Sequence, residues 1–157
     1  ADGEHALFWS DQYSLIVYHV STLMPNRDGD AACTNKLRHI GNDYVNIVFS
    51  ANDEPFDCTE FRGQFNFVTI VVYPKRLGMY KIDVLQRSSL MPFGPIADTL
   101  VVSKHALVRL LRATVIAADE AAAERVDGHR RRQANAEVRL LQIKSLAEKR
   151  KASAQQK

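Results

Sequence analysis

One run of residues sets the strongest limit on what this chain can fold into. From Gln64 to Tyr73 it reads Gln-Phe-Asn-Phe-Val-Thr-Ile-Val-Val-Tyr, apolar on both faces of a two-residue period once past Asn66. A strand with one wet face alternates apolar and polar residues. A strand without that alternation has both faces covered. The run is therefore read as a central strand, ended by Pro74, which has no backbone N–H to donate.

The flanking sequence supplies shorter elements. Residues 6–9 and 14–20 read as strands, rich in β-branched and aromatic residues and separated by the polar Ser10-Asp11-Gln12. Asn26-Arg27-Asp28-Gly29-Asp30 is a turn cluster. Residues 31–41 read as a short helix, with Asp30 as N-cap and Gly41 as its stop. Tyr44–Ser50 is a strand with Val45, Ile47 and Phe49 on one face, followed by the turn Asn52-Asp53-Glu54-Pro55. Met79–Arg87 sets Tyr80, Ile82 and Val84 against Lys81, Asp83 and Arg87, the pattern of a half-exposed strand near an edge. Residues 88–98, with Pro92, Gly94 and Pro95, read as a loop.

Ser103 then caps a helix over 104–123, whose Leu107, Leu110, Leu111, Thr114, Ala118, Ala121 and Ala122 form one apolar stripe. Asp127-Gly128 interrupts it, and a second helix is expected over 132–150, with Val138, Leu140 and Leu141 apolar among Arg and Lys. Strands first and helices last predict a mixed α/β (α+β) domain: a central mixed β-sheet flanked by helices, with a basic C-terminal helix. Residues 1–123 are expected to form the domain and residues 124–157 the helix packed on it.

Composition narrows the function classes. At 157 residues and 46% hydrophobic, one globular domain can bury roughly two-thirds of its unfolded surface. No apolar run approaches the ~20 residues of a membrane span. Two cysteines, Cys33 and Cys58, do not staple a miniprotein and fit a reducing, cytosolic compartment. The Ala-Asp-Gly start carries no initiator Met or signal-peptide pattern, as expected of a segment of something longer. The net charge of +3 is uneven. Residues 1–123 hold 11 basic against 14 acidic side chains, and residues 124–157 hold 10 against 4. The positive excess lies in the last segment, and aromatic residues do not interleave with it, which argues against a nucleic-acid module.

Enzyme motifs are sparse: the chain has no Gly-rich phosphate loop, no HExxH and no CxxC pair. Cys33, His39 and Cys58 lack zinc-ligand spacing and a fourth ligand. Cys33 and His39 lie six residues apart, about 600° around a helix, on different faces. The densest polar patch is Lys36-Leu37-Arg38-His39-Ile40-Gly41-Asn42-Asp43, where the short helix meets a strand. Two readings stay open there: capping of the helix end by Asn42 or Asp43, or side chains held rigid and exposed for chemistry. Phe65, Phe67, Trp9 and Tyr18 read as core or near-core. His19, within an apolar strand, reads as a satisfied core histidine, and Arg109 and Arg112 as a solvated helix face.

Three blocks carry a family resemblance: Tyr18-His-Val-Ser-Thr-Leu-Met-Pro25, Arg38-His-Ile-Gly-Asn-Asp-Tyr-Val45 and Gly63-Gln-Phe-Asn-Phe-Val68. Together they resemble the Rap/Ran-GAP catalytic domain over about residues 6–123. The Leu-Met-Pro and Gly-Gln-Phe-Asn-Phe wording is most similar to its tuberin-type branch. The resemblance implies a GTPase-activating domain that supplies an asparagine thumb in trans, with no arginine finger. By motif match the thumb is Asn42. Lys36, Arg38, His39, Gly41 and Asp43 are implied in GTPase binding or thumb support, Gly41 by backbone freedom if its φ is positive, and Asp43 by fixing the thumb or the helix end. Asn46 reads as a sheet-face residue, and Asn66 either approaches the site or bonds backbone.

The implied partner is a small GTPase, Rheb rather than Rap, which itself carries the GTP and Mg2+; no other cofactor or metal is expected. A parent protein would associate with hamartin and be cytoplasmic or peripheral on endomembranes. The basic segment, with Arg130, Arg131, Arg132, Arg139, Lys144, Lys149, Arg150 and Lys151, either meets an anionic membrane or partner helix or docks on the domain. The alternative to a GAP is a catalytically silent interaction domain of the same fold.

Overall fold

The structure is a computed structural model and describes residues 4–52, 54–57, 63–87, 90–127, 140–148 and 150. Cys58, Arg130, Arg131, Arg132, Val138, Arg139, Lys149 and Lys151 lie outside the described residues. So do parts of the expected 52–55 turn, the 88–98 loop and the second helix.

The order of elements is β1 (Leu7–Ser10), β2 (Leu15–Tyr18), α1 (Thr34–Ile40), β3 (Val45–Phe49), β4 (Val68–Pro74), a 3-10 turn (Arg76–Gly78), β5 (Met79–Gln86), β6 (Thr99–Ser103) and α2 (Lys104–Asp127). β1 and β2 form an antiparallel hairpin. Its turn is closed by the Asp11 carboxylate, whose Oδ1 accepts from Tyr13 N at 2.8 Å and Ser14 N at 2.7 Å. The backbone N–H of Tyr13 and then that of Ser14 hold the Asp11 carboxyl below its usual range.

The main sheet runs β3-β4-β5-β6, with β3 parallel to β4 and the other pairs antiparallel. β4 is interior and buried from Val68 to Tyr73 on both faces, as its lack of alternation requires. Val68, Ile70, Ile82, Val84 and Val102 form the core with Ile96, Val115 and Ala118, and Leu107, Leu110 and Leu111 of α2 pack against it. The expected helical stripe is thus the buried one. Its polar member, Thr114, is fully buried and satisfied: Oγ1 donates to Leu110 O at 2.8 Å and accepts from Ile96 N at 3.2 Å.

β5 is half-buried as its alternation suggests and lies one strand in from the edge, which is β6, paired along it with Tyr80 opposite Val102. Several expectations need correction. β6 has no alternating signature: Thr99, Leu100 and Val101 are exposed and only Val102 is buried. Arg112 is not solvated; it is half-buried and stacks over the Trp9 ring, 4.1 Å from its centroid, tying α2 to the hairpin. α1 starts at Thr34, with Cys33 left-handed at φ 52° and no side-chain cap from it. The capping chemistry still comes from Asp30, whose carboxylate accepts from Thr34 N (2.8 Å) and Asn35 N (3.0 Å).

Two compact units divide the chain, Ala1–Ala122 and Ala123–Lys157. In the second, residues 140–148 are helical. Among the described residues no helix is long and apolar enough to cross a membrane.

Candidate functional site

α1 runs into β3 through Gly41, Asn42, Asp43 and Tyr44. Gly41 N donates to Leu37 O (2.7 Å), Asn42 N to His39 O (3.0 Å) and Asp43 N to Ile40 O (3.3 Å). The last two bonds span three residues, the tightened turn by which helices satisfy their final carbonyls. Gly41 adopts φ −68° and ψ −15°. A positive φ is therefore not what calls for glycine here. Proximity is: a Cβ on Gly41 would lie 2.7 Å from Leu37 O and 3.7 Å from the Gly63 Cα. A Cβ on Gly63 would lie 2.7 Å from the Gly41 Cα and run into Gly41 O and Asn66 Oδ1. Two glycines let two backbone segments meet.

Asn42 is exposed at the tip of this turn. Its Nδ2 donates to Arg38 O at 2.7 Å. One carboxamide proton is engaged by its own helix, while Oδ1 and the second N–H stay chemically competent. The contact uses the Arg38 carbonyl, so the exposed guanidinium is available to a partner. Lys36 is half-buried and lies earlier on α1.

Asp43 is paired across the chain. His19 Nδ1 donates to both carboxylate oxygens at 2.9 Å. With side chains 38% and 32% exposed, this is a surface pair, and His19 is not the core histidine expected. The reason is local: β2 ends at Tyr18, so His19 steps out of the strand alternation. Its ring lies against His39, with centroids 5.5 Å apart. His19, His39 and Asp43 thus gather next to Asn42 in the chain, with the Asp43 carboxylate tied to the residue that follows β2.

Asn66 lies behind the turn, only 3% exposed. Its Nδ2 donates to Ile40 O at 2.8 Å and to Asp43 O at 2.7 Å. The backbone-bonding reading of Asn66 is the one observed, and the carbonyls it bonds stand on either side of Asn42. Its Oδ1 has no hydrogen-bond partner among the described residues. Arg87 Nη1 donates to Gly63 O, holding the facing segment. Asn46 lies on the sheet, buried in β3. Among the described residues no three His, Cys, Asp or Glu side chains are grouped to hold a metal ion.

His19, Gly63 and Arg87 were not among the expected site residues. Their signal lay partly in the motifs: His19 belongs to the first block and Gly63 opens the third. Arg87 acts on a carbonyl and leaves no pattern to find.

Comparison with known proteins places these observations. A family model described as Rap/ran-GAP matches residues 1–145. The human Ral GTPase-activating protein subunit alpha-1 is 38% identical over 106 residues, 68% of this chain and 5% of that protein. The tuberous sclerosis 2 protein homolog of Schizosaccharomyces pombe is 35% identical over 121 residues, 71% of this chain and 9% of that protein. The solved structure of the TSC2 GAP domain is similar at 33% identity and a TM-score of 0.58, covering 74% of this chain and 66% of that one. The chain thus spans a small fraction of the curated relatives it matches.

Proposed function

The chain belongs to the Rap/ran-GAP family of GTPase-activating domains, and on that premise we propose that it accelerates GTP hydrolysis by Rheb, presenting Asn42 in trans as a catalytic thumb. The observation that carries this reading is the placement of Asn42. It is an exposed carboxamide at the end of a helix, braced from behind by Asn66 and from the side by the His19–Asp43 pair.

Hydrolysis of GTP needs a water held in line with the γ-phosphate while charge spreads over the phosphoryl oxygens. A carboxamide has an acceptor oxygen and donor protons in one rigid plane. Asn42 Oδ1 accepts a hydrogen bond from the attacking water, and the N–H not engaged by Arg38 O points donor character toward the phosphate. Arg38 and Lys36 meet the acidic surface of the GTPase. GTP and its Mg2+ stay with the partner. Rheb is proposed on the tuberin-type wording of the first and third motif blocks, together with the similarity to the TSC2 GAP domain.

Single-turnover hydrolysis on GTP-loaded Rheb, Rap and Ral tests both halves. Asn42→Ala should reduce the acceleration by at least ~10²-fold, the usual loss for one preorganised transition-state contact, with the circular dichroism unchanged. Full acceleration by that variant would end the thumb assignment. Preference for Rap or Ral would end only the assignment of Rheb.

A further inference from the structure

We infer that Asn66 and Arg87 are positioning residues for the thumb, a bracket that transfers the rigidity of the central sheet to Asn42. This rests on the thumb reading above and extends it to side chains that do not face the GTPase.

The need for a bracket follows from α1 itself. It has seven residues and buries none of them, and a helix that short is not stable alone. Its last turn is closed by short-range backbone bonds that fray readily. Something outside the helix must fix the direction in which Asn42 points.

Asn66 is built for that purpose. Its two amide protons go to carbonyls on either side of Asn42, those of Ile40 and Asp43. Both N–H bonds lie in one plane, so the two carbonyls are held at a fixed separation and the turn between them cannot open. Asn66 is in turn anchored to the sheet. Phe67 N and Val68 N donate to Tyr44 O at 3.0 and 3.1 Å, and Arg87 N donates to Phe67 O at 2.9 Å. Arg87 also reaches back, donating from Nη1 to Gly63 O. That bond holds Gly63 where it lies against Gly41, at a contact neither residue has a Cβ to obstruct. The thumb turn is clasped by Asn66 and by the Arg87-held Gly63, which lies beside both Gly41 and the Asn66 Oδ1.

The test is a kinetic split. Arg87 is exposed, so Arg87→Met should fold. It should lower the maximal single-turnover rate on Rheb-GTP by about tenfold, since sub-ångström misplacement of a catalytic group costs rate, with the half-saturating concentration unchanged. Arg87→Lys, which keeps a donor, should recover most of the rate. Asn66→Asp removes both donors and should lose about 10²-fold in maximal rate. If it does not fold, Arg87→Met carries the test.

Combined with Asn42→Ala, neither variant should cost anything further, because both act through Asn42. Amide exchange at Gly41–Asp43 in the free Arg87→Met protein should speed up while β4 stays protected. A raised half-saturating concentration with a normal maximal rate would overturn the proposal and make Arg87 a docking residue. So would additive losses in the Asn42→Ala background. Full activity of Asn42→Ala would instead remove the thumb reading on which the proposal rests.

Discussion

Gly41→Ala sets two opposed effects against each other at one atom. The residue has right-handed helical dihedrals, φ −68° and ψ −15°. On backbone entropy alone, alanine there should stabilise by about 0.4–1 kcal/mol. The added Cβ, however, would lie 2.7 Å from Leu37 O, against a normal carbon–oxygen contact of about 3.3 Å. Relief requires a displacement of roughly 0.6 Å. The atom in the way is backbone, and it already accepts from Gly41 N at 2.7 Å, so it cannot swing aside as a side-chain tip would.

Forcing atoms into a packed site costs about 1–3 kcal/mol, which exceeds the entropic gain and leaves a net loss of about 1 kcal/mol. In a protein of this size that lowers Tm by roughly 2–4 °C. If Asn42 is the thumb proposed above, the same shift moves it, as the next residue, beyond the ~0.5 Å tolerance of a catalytic group, and about tenfold in maximal rate should go with it. Thermal unfolding and single-turnover hydrolysis on Rheb-GTP measure the two quantities. A raised Tm with a full maximal rate would refute the reasoning, because the turn would then accept a side chain without moving.

Three further outcomes follow from side chains already placed. Arg38→Ala removes an exposed guanidinium but not the carbonyl that holds Asn42; it should raise the half-saturating GAP concentration about tenfold and keep the maximal rate, whereas a lost maximal rate at normal half-saturation would make Arg38 a finger. Ile70→Ala, at a fully buried position in β4, should cost about 2–5 kcal/mol in urea unfolding, and a loss below about 1 kcal/mol would show that the sheet is not the main core. The Asp30 carboxyl is held below its ordinary 3.8 first by Asn35 N–H and then by Thr34 N–H. Its folded pKa is depressed, so the stabilisation it gives α1 is present above 3.8 and is lost as pH falls through the lower folded value. The amide resonances of Thr34 and Asn35 should titrate with a midpoint below 3.8; a midpoint at or above it would contradict the capping geometry.

What could be read from the sequence was what it encodes locally. The Val68–Tyr73 run shows its burial because both faces of the strand are apolar, and the α2 stripe shows its because seven positions keep one helical face. Asn42, its helix and Arg38 lie within one short segment, so a motif captures them together. β6 escaped because exposed Thr99, Leu100 and Val101 erase the alternation, and the strand is defined only by its pairing with β5. The solvated reading of Arg112 failed because Trp9, remote in sequence, offers it a ring. The bracket behind Asn42 is hidden for a deeper reason: Asn66 and Arg87 bind main-chain carbonyls, and every residue has one, so the acceptors leave no trace in composition or spacing.

The parallel pairing of β3 and β4 makes the candidate site a reporter of strand register. Val45 lies opposite Val68, so the segments carrying Asn42 and Asn66 enter neighbouring strands at the same end. A slip of one residue would carry Asn66 about 3.3 Å along the strand direction, beyond hydrogen-bonding reach of both carbonyls it now holds. Parallel strands also pair late, since the intervening chain must be ordered before the contact repays it. A collapsed chain with helices formed but this pairing unmade would have Asn42 and no fixed direction for it. On the thumb reading proposed above, a molecule without this pairing would carry Asn42 yet fail to accelerate hydrolysis by its GTPase.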